Sequence, residues 1–252
     1  MTDILAKVRR RTRRLWNYRR IEWALRGKQG LEIGGPSSIF SPAVQAKHRP
    51  IPPIYAIAAS VDNCNFATDT TWSRGEGGRT FQYLPGREPG RQYIHDATDL
   101  ASIADGTYDF LLASHILEHV ANPLLALEEF HRVLKPNGYA LVLVPNQVHT
   151  FDHRRPVTTF AHLQADLTAQ TDESDLTHLE EILALHDLER DKPAGSIEEF
   201  RGRCLRNAEM RCMHHHVFSL DLLEQALCHA RFRPLYRNGL WENHLLVFVR
   251  RA

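Results

Sequence analysis

The run Leu31-Glu32-Ile33-Gly34-Gly35-Pro36-Ser37 constrains the fold more than any other stretch of the chain. A short apolar segment that ends in paired glycines has the pattern of a buried strand opening into a tight turn. Glycine has no Cβ, so the backbone there can bend sharply and let a ligand lie directly against it. In an open α/β sheet such a turn sits at the carboxyl end of a strand, where ligands bind. A Gly-Gly turn is common by itself, so its meaning depends on the segments downstream of it.

Four further runs read as parallel strands after the first at Gly30–Gly34. They are Ile54–Val61 (IYAIAASV), ending at Asp62; Gln92–His95, ending at Asp96; Tyr108–Ser114 (YDFLLAS); and Tyr139–Pro145 (YALVLVP), preceded by the turn signal Lys135-Pro136-Asn137-Gly138. Between the last two, Pro123–Leu134 places Leu124, Leu127, Phe130 and Val133 on one helical stripe. Strands alternating with helices predict a parallel sheet covered on both faces. After a helix at Ser219–Ala230, the runs Phe232–Tyr236 and His244–Val249 predict an antiparallel C-terminal hairpin, with Asn238-Gly239 in its connection. The expected architecture is an α/β, Rossmann-like, seven-stranded and mostly parallel sheet with that hairpin at one edge.

From Gln147 to His216 the strand pattern stops. This segment is polar, acidic between Asp166 and Glu199, and predicts helices near 175–190 and 197–210. It reads as a helical, histidine-rich cap inserted after the fifth strand. The whole of 1–252 then forms a single domain with the cap at 147–216 and a basic helix at 1–28. A chain of 252 residues is long enough to bury one good-sized core with such an insertion.

Charge is distributed unevenly. Residues 1–30 hold ten Lys or Arg against two acids, so the remaining chain carries 21 basic and 28 acidic residues out of the totals of 31 and 30. The basic run from Lys7 to Arg20 suits peripheral contact with an anionic membrane or a pyrophosphate-linked carrier. The competing reading packs Leu15, Trp16, Ile21, Trp23 and Leu25 against the domain. No apolar run approaches the roughly 20 residues that span a bilayer. The amino terminus lacks the apolar stretch of a secretory signal. The four cysteines have no CxxC spacing, which points to free thiols in the cytoplasm, at the inner face of the membrane if the basic run docks there.

Together these segments resemble the class I S-adenosylmethionine-dependent methyltransferases. Leu31-Glu32-Ile33-Gly34-Gly35 is similar to their first motif, and Tyr108–Val120 (YDFLLASHILEHV) to the fourth. Ala121-Asn122-Pro123 through Arg132-Val133-Leu134-Lys135-Pro136-Asn137-Gly138 is similar to the helix and turn that come next in that family. The resemblance covers about Gly30–Asn146 and the closing hairpin, leaving the cap outside it. The third glycine of the first motif is replaced by Pro36-Ser37-Ser38, and the interval from Gly34 to Asp62 is longer than the family's.

The resemblance implies S-adenosylmethionine as cofactor, with S-adenosylhomocysteine as product. It places the donor's methionine tail against Gly34, Gly35 and Pro36, with Glu32 holding a water or the amino group. Asp62 is then expected at the ribose, Asp96 at the adenine amino group with Ala97 and Thr98 against the ring, and Ser114 at the end of the fourth strand. The sulfonium needs no activation, so catalysis is mostly positioning. A hydroxyl acceptor also needs a base. His115 and His119 come after the fourth strand, and Asn146, Asp152 and His153 after the fifth. The expected base is His115, or His153 oriented by Asp152. Arg154 and Arg155 suit a phosphate or carboxylate on the acceptor, and His214, His215 and His216 close the cap over it.

These features favour O-methylation of a sugar, glycan or carrier-linked small molecule. The alternatives are N- or C-methylation of a small metabolite, a silent donor-binding scaffold, and a metal-dependent hydrolase. A divalent metal held by Asp152, His153, His214 and His216 is the alternative to a metal-free base. His178 and His186, two turns apart with Glu181 nearby, form a second candidate pair. Nucleic acid is disfavoured as a partner by the acidic cap and the lack of a recognisable RNA-binding module. The sequence does not define an oligomeric state.

Overall fold

The computed structural model describes residues 15–43, 51–68, 78–241 and 243–252. Residues 15–25 form helix α1. The other elements in chain order are β1 (Gln29–Ile33), α2 (Ile54–Ile57), β2 (Ser60–Asn65), β3 (Thr80–Phe81), β4 (Gly90–Ile94), β5 (Tyr108–Ser114), α3 (Pro123–Val133) and β6 (Leu134–Pro145). Then come α4 (Phe160–Ala169), α5 (Leu179–Leu185), α6 (Ile197–Cys204), α7 (Asn207–Met210), α8 (Leu220–His229), β7 (Phe232–Trp241) and β8 (His244–Arg251).

The strands form one sheet in the order β3-β4-β2-β1-β5-β6-β8-β7. Strands β4, β2, β1, β5 and β6 run parallel, and β8 pairs antiparallel with β6 and β7. The eighth strand, beyond the seven expected, is the two-residue β3, antiparallel to β4 at the sheet edge.

Alternation of side chains along each strand feeds two apolar layers. In β5, Leu111 and Ala113 pack on one face with α3 and α8, while Phe110 and Leu112 pack on the other with α1 and α2. The same split recurs in β6, with Val142 and Val144 against Leu141 and Leu143. Helix α3 starts on Asn122, whose side chain accepts from the Leu125 amide, with Pro123 in the first turn, and buries Leu124, Leu127 and Phe130. Gly30 lies against the Phe110 ring, 2.1 Å from where a Cβ would stand, so β1 and the β5 face can close only over a glycine.

The second strand departs from expectation. Ile54–Ile57 is helical, and the strand begins at Ser60. Pro53 fixes φ at the entry, and Ala56 favours helix within the turn. The carboxyl end of the strand therefore moves from Asp62 to Asn65. In the cap, the helix predicted at 175–190 is the shorter α5, the one at 197–210 divides into α6 and α7, and α4 has no counterpart in the sequence pattern. Asn238 and Gly239 lie within β7 rather than in a turn.

Helix α1 buries Ile21, Ala24 and Leu25 but leaves Leu15, Trp16 and Trp23 exposed, so the packing expected for those three is not made. The basic residues from Lys7 to Arg14 lie outside the described residues. Among the described residues no helix is long and apolar enough to cross a membrane.

Candidate functional site

A cavity of about 530 Å³ opens at the carboxyl ends of β1, β2, β4 and β5 and is closed on its far side by the 147–216 segment. Its sheet wall includes Gly34, Gly35, Pro36, Asn65, Asp96 and Ala97, and its floor Ser114, His115, Glu118 and His119. The cap contributes Phe151, Phe200, Arg203, Arg211, Cys212 and His214.

The glycine turn is held from behind. Glu32, fully buried, accepts from the Ser37 amide at 3.0 Å and from the Tyr55 hydroxyl at 2.6 Å. Asn63 accepts from the Gly35 amide at 2.9 Å and donates to the Gly35 carbonyl at 3.2 Å. Asn65 donates to the same carbonyl at 3.3 Å. Gly34 sits at φ +76, a conformation that favours glycine, and a Cβ on Gly35 would stand 2.5 Å from the Glu32 carboxylate. The turn thus presents bare backbone to the cavity, and Glu32 shapes it rather than lining it.

Asp62 does not reach the cavity. It lies within β2, where it accepts from the Arg91 amide at 2.8 Å and from the Tyr108 hydroxyl at 2.7 Å. Asn65, with Phe66 after it, takes the place expected of the ribose acid. Asp96 and Ala97 do line the cavity. Thr98 stands behind Asp96, donating through its amide and hydroxyl to Asp96 Oδ1 at 2.9 and 2.8 Å. Asp96 Oδ2 accepts from Arg211 at 2.5 Å, and the Arg211 guanidinium lies 5.2 Å from the Phe66 ring centre. Burial disfavours the Asp96 carboxylate, yet Thr98 and Arg211 outweigh it and hold its pKa below the usual range. Arg211 also pairs with Glu173 at 2.7 Å, so it ties the cap to this edge of the cavity.

The floor beyond Ser114 is a cluster of titratable groups. Glu118 is 1% exposed and neither of its carboxylate oxygens has a hydrogen-bond partner among the described residues. Burial pushes its pKa up to about 7. His119 Nδ1 lies 3.1 Å from the Met213 carbonyl, which fixes the proton on that nitrogen and leaves Nε2 with a lone pair. His214 Nδ1 lies 2.5 Å from Asp152 Oδ2, and the His119 and His214 rings meet edge to face at 4.5 Å. Burial works against charging His214, but Asp152 beside it wins and raises its pKa. Asp152 is likewise opposed by burial but held down to about 2 by His214 and Arg155. His115 pairs through Nε2 with His244 Nδ1 at 2.7 Å, and burial beside that histidine lowers its pKa to about 3.

Asp152 therefore orients His214 and not His153. His153 turns away from the cavity to Asp187, at 2.8 Å. Arg154 is exposed and joins the same Asp187 at 3.2 Å. Arg155 is 2% exposed and bonds Asp152, Glu181 and the His214 carbonyl, so it braces the cap rather than meeting an acceptor. Asn146 lies off the cavity, its amide donating to the Asn243 carbonyl. His215 bonds Asn207 at 2.9 Å, and His216 faces the Ala121 carbonyl at 3.2 Å; neither lines the cavity.

The metal set Asp152, His153, His214 and His216 does not converge, because His153 and His216 turn to separate partners. His178 and His186 flank opposite ends of α5: His178 faces His162, and His186 bonds Asp191 and stacks on Phe151. Glu118, Asn65 and Arg211 are the site residues that sequence reasoning does not assign. Glu118 is visible in the His115-Ile116-Leu117-Glu118-His119 run, whereas Asn65 is hidden by the displaced strand end and Arg211 by the irregular cap.

A family model described as "Methyltransferase domain" matches residues 4–235. No curated protein matches the sequence. Among solved structures, a putative S-adenosylmethionine-dependent methyltransferase from Listeria monocytogenes is 14% identical, covers 93% of this chain and 97% of its own, and has a TM-score of 0.50. The trans-methyltransferase CalH in complex with SAH is 13% identical, with 92% of this chain and 53% of its own covered and a TM-score of 0.50. At such identities the likeness shows the fold. The family model spans most of the chain, and the chain belongs to the class I S-adenosylmethionine-dependent methyltransferases.

Proposed function

We propose that this methyltransferase acts on a hydroxyl group of a sugar, glycan or carrier-linked small molecule, with Glu118 as the group that takes the hydroxyl proton and His119 beside it. The observation that carries this reading is the buried Glu118 carboxylate, without a hydrogen-bond partner among the described residues, on the cavity floor beside His119 and His214. A buried polar group without a partner is costly, so its retention on a cavity wall points to a partner that arrives with the substrate.

The cavity fits the donor. Its volume falls in the roughly 300–1,000 Å³ range of small-molecule sites, and the side-chain-free turn at Gly34–Gly35 gives a polar tail direct access to backbone. Asn65 and Asp96 supply polar groups for ribose and adenine, with Phe66 and Ala97 as apolar walls. When bound, S-adenosylmethionine supplies a methyl group on a sulfonium that is already electrophilic. Glu118, with a pKa of about 7, is partly ionised at neutral pH and suited to accept a proton as the acceptor oxygen is methylated. His119, whose pKa burial and neighbouring His214 hold far down, borders Glu118 on the same floor. His214, whose charged form Asp152 favours against burial, in turn favours the Glu118 carboxylate. The cap excludes water from the floor.

In the same reading, residues 1–252 form one domain, with 147–216 as the insertion that closes over the acceptor. The four free thiols accord with a cytoplasmic location. Exposed Leu15, Trp16 and Trp23 beside Arg19 on α1 suit peripheral contact with an anionic membrane.

The test is turnover. Wild-type protein is incubated with S-adenosylmethionine and paired acceptors that differ only in carrying a hydroxyl or an amine. The expected product is an O-methyl ether, and its formation falls in Glu118→Gln while S-adenosylhomocysteine still binds. Preference for the amine with undiminished Glu118→Gln turnover would replace this reading with N-methylation.

A further inference from the structure

Eight of the fifteen histidines lie between His149 and His216, and the methyl-transfer reading uses only His214 among them. Three of the others meet at a point away from the main cavity. His162 stands on α4, His178 just before α5, and His216 on the extended segment that leads to α8. Each offers one ring nitrogen, and the three nitrogens lie within 4.8 Å of one another. Their rings face each other edge to face, with centroids 4.9 Å apart for His162–His178, 5.6 Å for His162–His216 and 5.8 Å for His178–His216. None of the three lines the main cavity.

A carboxylate stands beside the group. Asp166, one turn after His162 on α4, is 8% exposed, and its Oδ2 has no hydrogen-bond partner among the described residues. Its Oδ1 accepts from the Thr171 hydroxyl at 3.2 Å, which fixes the direction of Oδ2. Asp166 Oδ2 lies 3.4 Å from His162 Nε2 and 3.7 Å from His216 Nε2, and His162 Nε2 lies 3.0 Å from His178 Nε2.

We propose that His162, His178 and His216, with Asp166 beside them, bind a divalent transition-metal ion, zinc by the donor set, at a site that fastens the cap to the domain. Four ligands at zinc's bond lengths of about 2.0–2.1 Å define a tetrahedron whose edges are roughly 3.3–3.4 Å. The observed separations of 3.0 Å between His162 and His178 and 3.4 Å between His162 and Asp166 lie close to that edge. Three imidazoles with one carboxylate form a nitrogen-rich, borderline set, suited to zinc over calcium or magnesium. Hydrogen bonds alone do not satisfy the group: a single proton can join His162 to His178 and His216 Nε2 donates to the Ala121 carbonyl at 3.2 Å, but His216 Nδ1, the nitrogen left for an ion, and Asp166 Oδ2 remain unpaired among the described residues. His162 and His178 are half-buried, which leaves a path for the ion. The site joins α4, the start of α5 and the segment that carries His214 into the main cavity.

The test uses the full-length protein, stripped with chelator and titrated with Co²⁺ and then Zn²⁺. One equivalent of Co²⁺ is expected to give the intense visible absorption of a four-coordinate ion, and one equivalent of Zn²⁺ to bleach it. Zn²⁺ at 100 times its Kd is expected to raise Tm by roughly 5–10 °C. His178→Asn and His162→Asn, measured separately, are each expected to lose the absorption and the Tm rise while still binding S-adenosylhomocysteine. Glu118→Gln keeps both signals, which separates this site from the cavity cluster. Failure of the wild type to bind Co²⁺ would overturn the proposal, as would an unchanged absorption in both histidine variants or its loss in Glu118→Gln alone.

Discussion

In the sheet, inward-facing side chains meet other apolar side chains, and two layers of Leu, Val, Ile and Phe close over the strands from both faces. In the cap, a small apolar cluster around Leu179, Ile182, Phe200 and Met213 carries much less, and buried charge does the rest. Arg155 holds Asp152, Glu181 and two backbone carbonyls, Glu173 holds the Ala121 amide and Arg211, and Asn207 holds His215. Apolar packing is insensitive to direction and tolerates gradual change, whereas buried ionic networks fail when one partner is lost. The strands beneath the cavity are built on the first kind of material and the cap above it on the second.

The largest effect that would test this division concerns chemistry. Glu118→Gln is expected to lower kcat by about 10²–10⁴-fold while S-adenosylhomocysteine affinity, measured by titration calorimetry, changes less than twofold. Equal losses in both would assign Glu118 to the frame of the cavity. Next come two stability changes of similar size and different reach. Phe130→Ala, in the sheet layer, is expected to cost about 3–5 kcal/mol in a denaturant titration. Arg155→Ala, which leaves Asp152 buried with its ion pair to Arg155 broken, is expected to cost about 3–5 kcal/mol. Hydrogen exchange distinguishes them: Arg155→Ala accelerates exchange in α5 and α6 and spares β5 and β6. Uniform acceleration would mean that cap and sheet open as one unit.

A smaller effect tests the donor wall. Gly35→Ala places a methyl group against the Glu32 carboxylate, so the turn must shift, and S-adenosylhomocysteine affinity is expected to fall about tenfold, equivalent to about 1.4 kcal/mol. Unchanged affinity would mean that the turn does not touch the donor.

The pH dependence originates in Glu118. Its pKa rises from an ordinary 4.5 to about 7 on folding, so the folded chain keeps a proton that the unfolded chain has released between those values. Stability from this group is full below about 4.5, declines as pH rises, and is lost above about 7, a change of about 3 kcal/mol. Glu118→Gln removes that decline, so its Tm relative to wild type is expected to climb from pH 5 to pH 8. A parallel pH profile would show that Glu118 ionises normally. Wild-type kcat is expected to rise through pH 7 as the carboxylate forms. Last in size, flotation with anionic phosphatidylglycerol vesicles is expected to retain the wild type and to lose a fraction of Trp16→Ala/Trp23→Ala; absence of wild-type flotation would end the membrane reading.

The sheet is largely legible in the sequence because its strands carry uninterrupted apolar runs such as Tyr108–Ser114 and Tyr139–Pro145, which only a doubly covered strand explains. Ile54–Ala58 misleads for a definite reason: five apolar residues suit a buried strand and one turn of buried helix equally well. That single ambiguity displaces the expected carboxyl end of the strand from Asn65 to Asp62. The floor is half legible, since His115 and His119 lie beside a recognisable strand end. Pairing across the chain escapes the sequence altogether. Nothing near Asp152 indicates that its partner is His214 rather than the adjacent His153, because the choice is made by how 62 residues of irregular cap fold back.

Consecutive histidines at 214, 215 and 216 reach three destinations: the cavity floor, the Asn207–Glu173 brace and the cluster with His162 and His178. One stretch of backbone thus sets the register of three neighbourhoods at once. Deleting or inserting a single residue there would misalign all of them together, so this tripeptide can drift in sequence far less freely than its surface loops.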